Sequence, residues 1–251
     1  MEATANRIEP GRVIGEAFET YRNNAGAVLV VAVAIFGGAA LANGLLRATG
    51  SLILGLIAGI ITLVAHVLYT GYVVKLVQDV RDGRRDETPG ELLSAAAPYI
   101  WTLILNGILF GIAVAIGLFL LIIPGLILIT IWAVVAPAIV VEDKGVIEAF
   151  GRSRELVRGN GWNVFGVIVL AFLILVVFYI VAALIGSAIG DAGVVILSIV
   201  AGILAEPVVA LVAGILFFDL GGGRGLQSAP AEPPAVEPPP SEPPPPEAPA
   251  A

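Results

Sequence analysis

The stretch LLSAAAPYIWTLILNGILFGIAVAIGLFLLIIPGLILITIWAVVAPAIVV, residues 92–141, contains no charged side chain between Glu91 and Glu142. Fifty residues would make one helix about 75 Å long at 1.5 Å per residue, more than twice the roughly 30 Å of a bilayer's hydrocarbon core. The stretch must therefore cross twice. Pro124 and Gly125 are the expected breakers, which gives a third span from about Tyr99 to Ile123 and a fourth from about Leu126 to Val141. The fourth is short, and Pro137 is expected to kink it.

The same ruler extends to both sides. Ala25–Leu46 is uncharged and reads as span one; Ser51–Val74, with His66 as its only ionisable residue, reads as span two. Beyond the central stretch, the uncharged run from Trp162 towards Asp191 gives span five, and Ala192–Phe218, interrupted only by Glu206, gives span six. Composition points the same way. Hydrophobic residues make up 58% of the 251 and charged residues only 13%, about half of what soluble domains carry. There is no Cys and one His, which excludes disulfides, thiolate chemistry and most zinc sites, and no cofactor is implied. The net charge of −7 includes four Glu in the last 24 residues, so the rest of the chain carries −3 and offers no basic footprint for nucleic acid. A cleaved signal peptide is not expected, because the first apolar run follows an acidic segment and lacks a small-residue cleavage site.

Orientation follows from basic residues, which stay on the cytoplasmic side of short loops. Twelve of the 13 Lys and Arg fall before span one, between two and three, between four and five, or after six; only Arg47 falls on the other side. Both termini are expected in the cytoplasm, with the protein in the cell membrane as a multi-pass protein.

Each pair of spans is preceded by an amphipathic segment. Pro10 opens one in which Val13, Ile14, Ala17, Phe18 and Tyr21 recur at helical spacing. Thr88-Pro89-Gly90-Glu91 is a capping box, followed by a bend at Pro98. Val146, Ile147, Phe150 and Val157 share a face before span five, with Glu148 and Arg152 spaced to pair and Gly159 placed to end the helix. The expected fold is all-α: six transmembrane helices in three repeats of interfacial helix plus membrane hairpin. The domain plan is an N-terminal segment over 1–24, a membrane domain over 25–220, and a tail over 221–251. That tail holds 11 of the 17 prolines in Glu-Pro repeats and reads as disordered, acidic and polyproline-like.

Ionisable groups deep in a membrane cost about 2.5 to 3.5 kcal/mol on insertion scales, so each calls for a reason. Glu206 and His66 are such groups. Each sits about fifteen residues into a span running in the same direction, so their depths match, while whether the two helices are neighbours is open. Pro207 frees the carbonyl of Ile203, to which a protonated Glu206 could donate. Asn106, in span three, and Asn43 read as interhelical hydrogen-bonding residues. No nucleophile with a base can be assembled, so no catalytic residue and no metal ligand is assigned.

Three segments carry a family likeness: Ile123-Pro124-Gly125-Leu126, Ala136-Pro137-Ala138-Ile139-Val140-Val141-Glu142, and Ala149-Phe150-Gly151-Arg152-Ser153-Arg154-Glu155-Leu156-Val157-Arg158-Gly159-Asn160. With Pro10–Phe18 and Phe217-Phe218-Asp219-Leu220, they resemble the membrane domain attached to some glycerophosphodiester phosphodiesterases and YciC-like inner-membrane proteins of prokaryotes. The resemblance spans most of residues 10 to 220 and implies a stand-alone membrane domain. It does not carry the phosphodiesterase activity, whose histidines and metal-binding carboxylates have no counterpart here. The expected function is a non-enzymatic structural, membrane-organising or partner-binding role, with the bilayer and either a second copy or another protein as partner. The alternative is a small-solute or lipid-related transporter using Glu206 and His66.

Overall fold

The computed structural model describes residues 8–48, 50–83 and 87–223, and among these no strand occurs. Among the described residues, six helices are long and apolar enough to cross a membrane. The acidic proline-rich tail, from Arg224 onward, and the basic pair Arg84 and Arg85 lie outside the described residues.

The chain builds three units in succession. In the first, α1 (Pro10–Asn23) precedes a hairpin whose first arm is α2 (Ala25–Ala32), a π-helical turn (Val33–Gly37) and α3 (Gly38–Arg47), and whose second arm is α4 (Leu52–Asp82). In the second, α5 (Pro89–Ala96) bends through a 3-10 turn at Ala97–Tyr99 into α6 (Ile100–Leu120), which is followed by α7 (Ile122–Ile131) and α8 (Val135–Glu142). In the third, α9 (Val146–Val157) precedes α10 (Gly161–Ser187) and α11 (Asp191–Asp219). Local chemistry explains the starts. Pro10 and Pro89 stand in first turns, where a missing N–H costs nothing. Thr88 and Glu91 form the expected capping box, with the Thr88 N–H donating to Glu91 Oε2 at 2.7 Å.

Three boundaries differ from the sequence reading. The break between spans three and four falls at the extended Leu121 (φ −160, ψ 140), not at Pro124-Gly125. A proline acts four residues upstream: it denies the Leu120 carbonyl its donor, and α6 ends at Leu120, while Pro124 itself is accommodated in the first turn of α7. Gly125 serves the return differently. A Cβ there would lie 2.8 Å from the Leu118 backbone nitrogen, and one on Gly117 would lie 3.0 Å from the Gly125 Cα, so the two glycines let the arms touch. Pro137 behaves as Pro124 does, because four residues back lies Ala133, inside the non-helical Trp132–Val134 step between α7 and α8. Finally, α4 does not stop near Val74. It runs to Asp82 and ends on left-handed Gly83 (φ 74), so its last eight residues project about 12 Å beyond the expected span.

Packing is uneven along the hairpins. The buried core gathers Val13 and Ala17 of α1, Tyr69–Val77 of α4, Val134–Val141, and Val208–Phe217 of α11. All of these lie towards the end that carries α1, α5 and α9, here called the base. At the far end the arms meet mainly their own hairpin partners. Leu41, Leu45, Leu52, Ile53, Phe119 and Ile189 there are all at least 70% exposed, which in a bilayer means facing lipid. Three hairpins thus share one packed base and diverge away from it.

Candidate functional site

His66 of α4 and Glu206 of α11 meet where packing gives way to divergence. On α4 only Ala58 and Ala65 are buried before His66, whereas Val67, Tyr69, Gly71 and most of the following two turns are buried after it. On α11 the buried residues likewise crowd together from Pro207 to Phe217. His66 Nδ1 lies 3.3 Å from Glu206 Oε2, so the two intramembrane groups pair across the first and third hairpins. Their side chains are 53% and 30% exposed, so the surrounding helices do not seal the pair off. The carboxyl of Glu206 thus has an imidazole as partner, and Pro207 does not interrupt α11.

Aromatic groups surround this point. Tyr69, one turn along α4 from His66, is fully buried and donates its hydroxyl to the Val28 carbonyl at 3.3 Å. Phe36, carried on the π-helical turn, packs against the Tyr69 ring with centroids 5.1 Å apart. From α10 the Tyr179 hydroxyl approaches Gly202, one turn before Glu206; a Cβ at Gly202 would come within 3.2 Å of it. Asn106 is buried in α6, and its Oδ1 has no partner among the described residues. Asn43 does what an interhelical amide should, donating to Thr62 Oγ1 of the adjacent arm at 3.0 Å. The structure therefore brings His66 and Glu206 together and leaves Asn106 buried in α6 without the interhelical hydrogen bond expected of it, among the described residues.

Two charged networks lock the base. Asp219, at the end of α11, accepts from Arg12 of α1 at 2.7 Å and from Arg81 of α4 at 3.0 Å, while Glu16 accepts from the same two arginines at 3.2 and 2.6 Å. The projecting last turns of α4 are what deliver Arg81. In the second network Arg152 grips Glu142 through two nitrogens, at 2.7 and 2.9 Å, and the Gly223 N–H donates to the same carboxylate at 3.0 Å. This corrects the expected pairing of Arg152 with Glu148. Fork-to-carboxylate geometry across the α8–α9 corner outcompetes a single exposed i,i+4 contact on one helix. Donating to the Glu142 carboxylate also holds the Arg152 guanidinium above its ordinary range.

Sequence reasoning did not single out Ser153. It is fully buried on α9 and plugs the break in span four: its hydroxyl donates to the Ile131 carbonyl at 3.0 Å and accepts from the Val134 N–H at 3.3 Å. Trp132, beside that break, packs on Phe150 of α9 with ring centroids 4.6 Å apart. The signal available in the sequence was a serine on an otherwise apolar helix face near a proline step.

These features define a polytopic α-helical membrane protein built from three hairpins on a common base. Residues 91–220, just over half of the chain, match the domain of unknown function DUF7847, and the chain belongs to that family. It is also similar to a UPF0259 membrane protein of Pectobacterium carotovorum, with 36% identity over 99 residues. That match covers 39% of each chain, so the chain spans about two fifths of that relative's length. No solved structure matches.

Proposed function

We propose that this protein is a non-enzymatic membrane organiser of the cell membrane, with both termini cytoplasmic, which holds three hairpins on a rigid cytoplasmic base and offers their diverging arms to lipid or to a protein partner. The observation that carries this reading is the uneven burial: core and both charged networks at the base, exposed apolar arms beyond. Charge placement supports the orientation, since the end bearing α1, α5 and α9 is the end to which 12 of the 13 basic residues belong by loop. The likeness to phosphodiesterase-linked and YciC-like membrane domains is in keeping with such an organiser. A second copy or another membrane protein is the partner class.

One observation favours a second reading, a small-solute or lipid-related transporter. The pair formed by His66 and Glu206 couples two hairpins through groups that can exchange a proton, and neither side chain is fully buried. The deciding experiment compares Glu206→Gln and Glu206→Leu in detergent stability and in proton flux across proteoliposome membranes. The organiser reading expects no flux from the unsubstituted protein, near-normal stability for Gln, whose amide still bonds to an imidazole, and a larger loss for Leu. A gradient-driven flux in the unsubstituted protein that Gln abolishes would overturn it in favour of transport.

A further inference from the structure

Between α7 and the α9–α10 junction lies a cavity of about 660 Å³. This lies within the roughly 300–1,000 Å³ typical of small-molecule sites. Its two ends differ in chemistry. Along α7 the wall is apolar, with Ile123, Leu126, Ile127 and Ile131 on it, and the one hydroxyl there, on Thr130, is spent on the Leu126 carbonyl at 2.7 Å. At the opposite end the wall is the turn Gly159-Asn160-Gly161 with Asn163. Asn160 precedes α10 without capping it, and among the described residues neither Asn160 nor Asn163 finds a hydrogen-bond partner for its side-chain amide.

An apolar slot that ends in unpartnered amides suits an amphiphile better than a uniformly apolar or uniformly polar molecule. The surroundings specify it further. Trp162 lines the cavity and is 86% exposed, the arrangement expected of an indole at the headgroup level of a bilayer. Arg158, immediately before the polar turn, is exposed and forms no ion pair among the described residues. A phosphate would complement that cation and accept from both amides. Acyl chains are meanwhile the medium that already bathes α7.

We infer that this cavity is a binding site for one anionic phospholipid, its acyl chain lying along α7 and its phosphodiester at the Arg158–Asn163 turn. The inference rests on the membrane embedding of the chain and stands apart from both the organiser and the transporter readings. It also gives the short α7 a purpose. The extended Leu121 and the step at Trp132–Val134 isolate a ten-residue helix from α6 and α8, and the cavity occupies one flank of that piece.

The test uses the full chain, delipidated in detergent and then incubated with phosphatidylglycerol or phosphatidylcholine. Retained lipid is counted by native mass spectrometry. The expected result is one phosphatidylglycerol per chain, at least tenfold preferred over phosphatidylcholine. Ile127→Trp, which fills the apolar slot, should abolish retention, and Arg158→Gln should leave retention but erase the preference. Inorganic phosphate should not compete at millimolar concentration, because the acyl chain contributes most of the contact. Should Ile127→Trp fail to fold, Leu126→Trp, on the same apolar wall, takes its place, with a loss of retention again expected. No retained lipid on the unsubstituted chain, equal retention by the filled variant, displacement by free phosphate, or a dimer that forms through this face and excludes lipid would each overturn the assignment.

Discussion

Replacing Ser153 with Ala tests the most specific structural claim, that one hydroxyl holds the broken span together. The substitution removes two neutral hydrogen bonds, one to the Ile131 carbonyl and one from the Val134 N–H, at a position with no solvent exposure. Each such bond contributes about 1 kcal/mol net, and each buried backbone group left unpaired costs about 1–3 kcal/mol. Taken together the expected loss is about 2–4 kcal/mol, or roughly 30- to 700-fold in the unfolding equilibrium. Interhelical hydrogen bonds in membranes average only about 0.6 kcal/mol because the inserted but unpacked helices find other partners. The step at Trp132–Val134 has no such substitute, since the non-helical turn leaves the Ile131 carbonyl and the Val134 N–H without a backbone partner. The assay is reversible unfolding in mixed detergent micelles, with Ser94→Ala as control. Ser94 bonds the Glu91 carbonyl at an exposed position, and its loss should stay within about 0.5 kcal/mol. A Ser153→Ala variant as stable as that control would refute the plug.

Two further outcomes are expected. Gly125→Ala should lose about 1–3 kcal/mol by forcing α7 from α6, while Gly111→Ala, where a Cβ meets nothing within 4 Å, should be neutral; equal effects in the same unfolding assay would remove the close-turn argument. Reporter fusions at the N-terminus, near Arg84, near Arg154 and after Gly225 should read as cytoplasmic and those near Ala48, Gly125 and Asp191 should not, and an external signal from a fusion near Arg84 would break the six-span arrangement.

What the sequence made legible was whatever depends on a single segment. Run length between charges located all six spans, and the Thr88 capping box was readable residue by residue because its partners are three apart. Boundaries set by proline moved because the ring acts on a carbonyl four residues upstream, and the visible Pro124-Gly125 pair drew attention to the wrong position. The extension of α4 to Asp82 was hidden for a different reason. Charged residues ended the apolar run at Val74, yet charge does not end a helix that leaves the bilayer with its hydrogen bonds intact. Contacts between segments were the least legible. His66 and Glu206 could be matched in depth but not in azimuth, and Arg152 was assigned its sequence neighbour Glu148 when Glu142 lay across a corner that no periodicity reports.

The divergence of the hairpins has a physical cause in the solvent. Between helices in lipid there is no hydrophobic drive, since acyl chains are as apolar as leucine, and association depends on close small-residue packing and polar links. At the far end those links stay inside each hairpin: Asn43 with Thr62, Gly117 with Gly125, and Gly186 with Gly193, where a Cβ on Gly193 would come 2.7 Å from the Gly186 carbonyl oxygen. Each hairpin is thereby closed on itself and owes nothing to its neighbours. At the base the situation reverses, because the amphipathic α1 and α9 bring water-facing surfaces and buried ones together, and Asp219 and Glu142 draw arginines from other units. The contact between His66 and Glu206 stands at the changeover and links two hairpins at a depth where apolar packing gives little reason for them to stay together. It is therefore one of the few polar links that hold the first and third units together beyond the base.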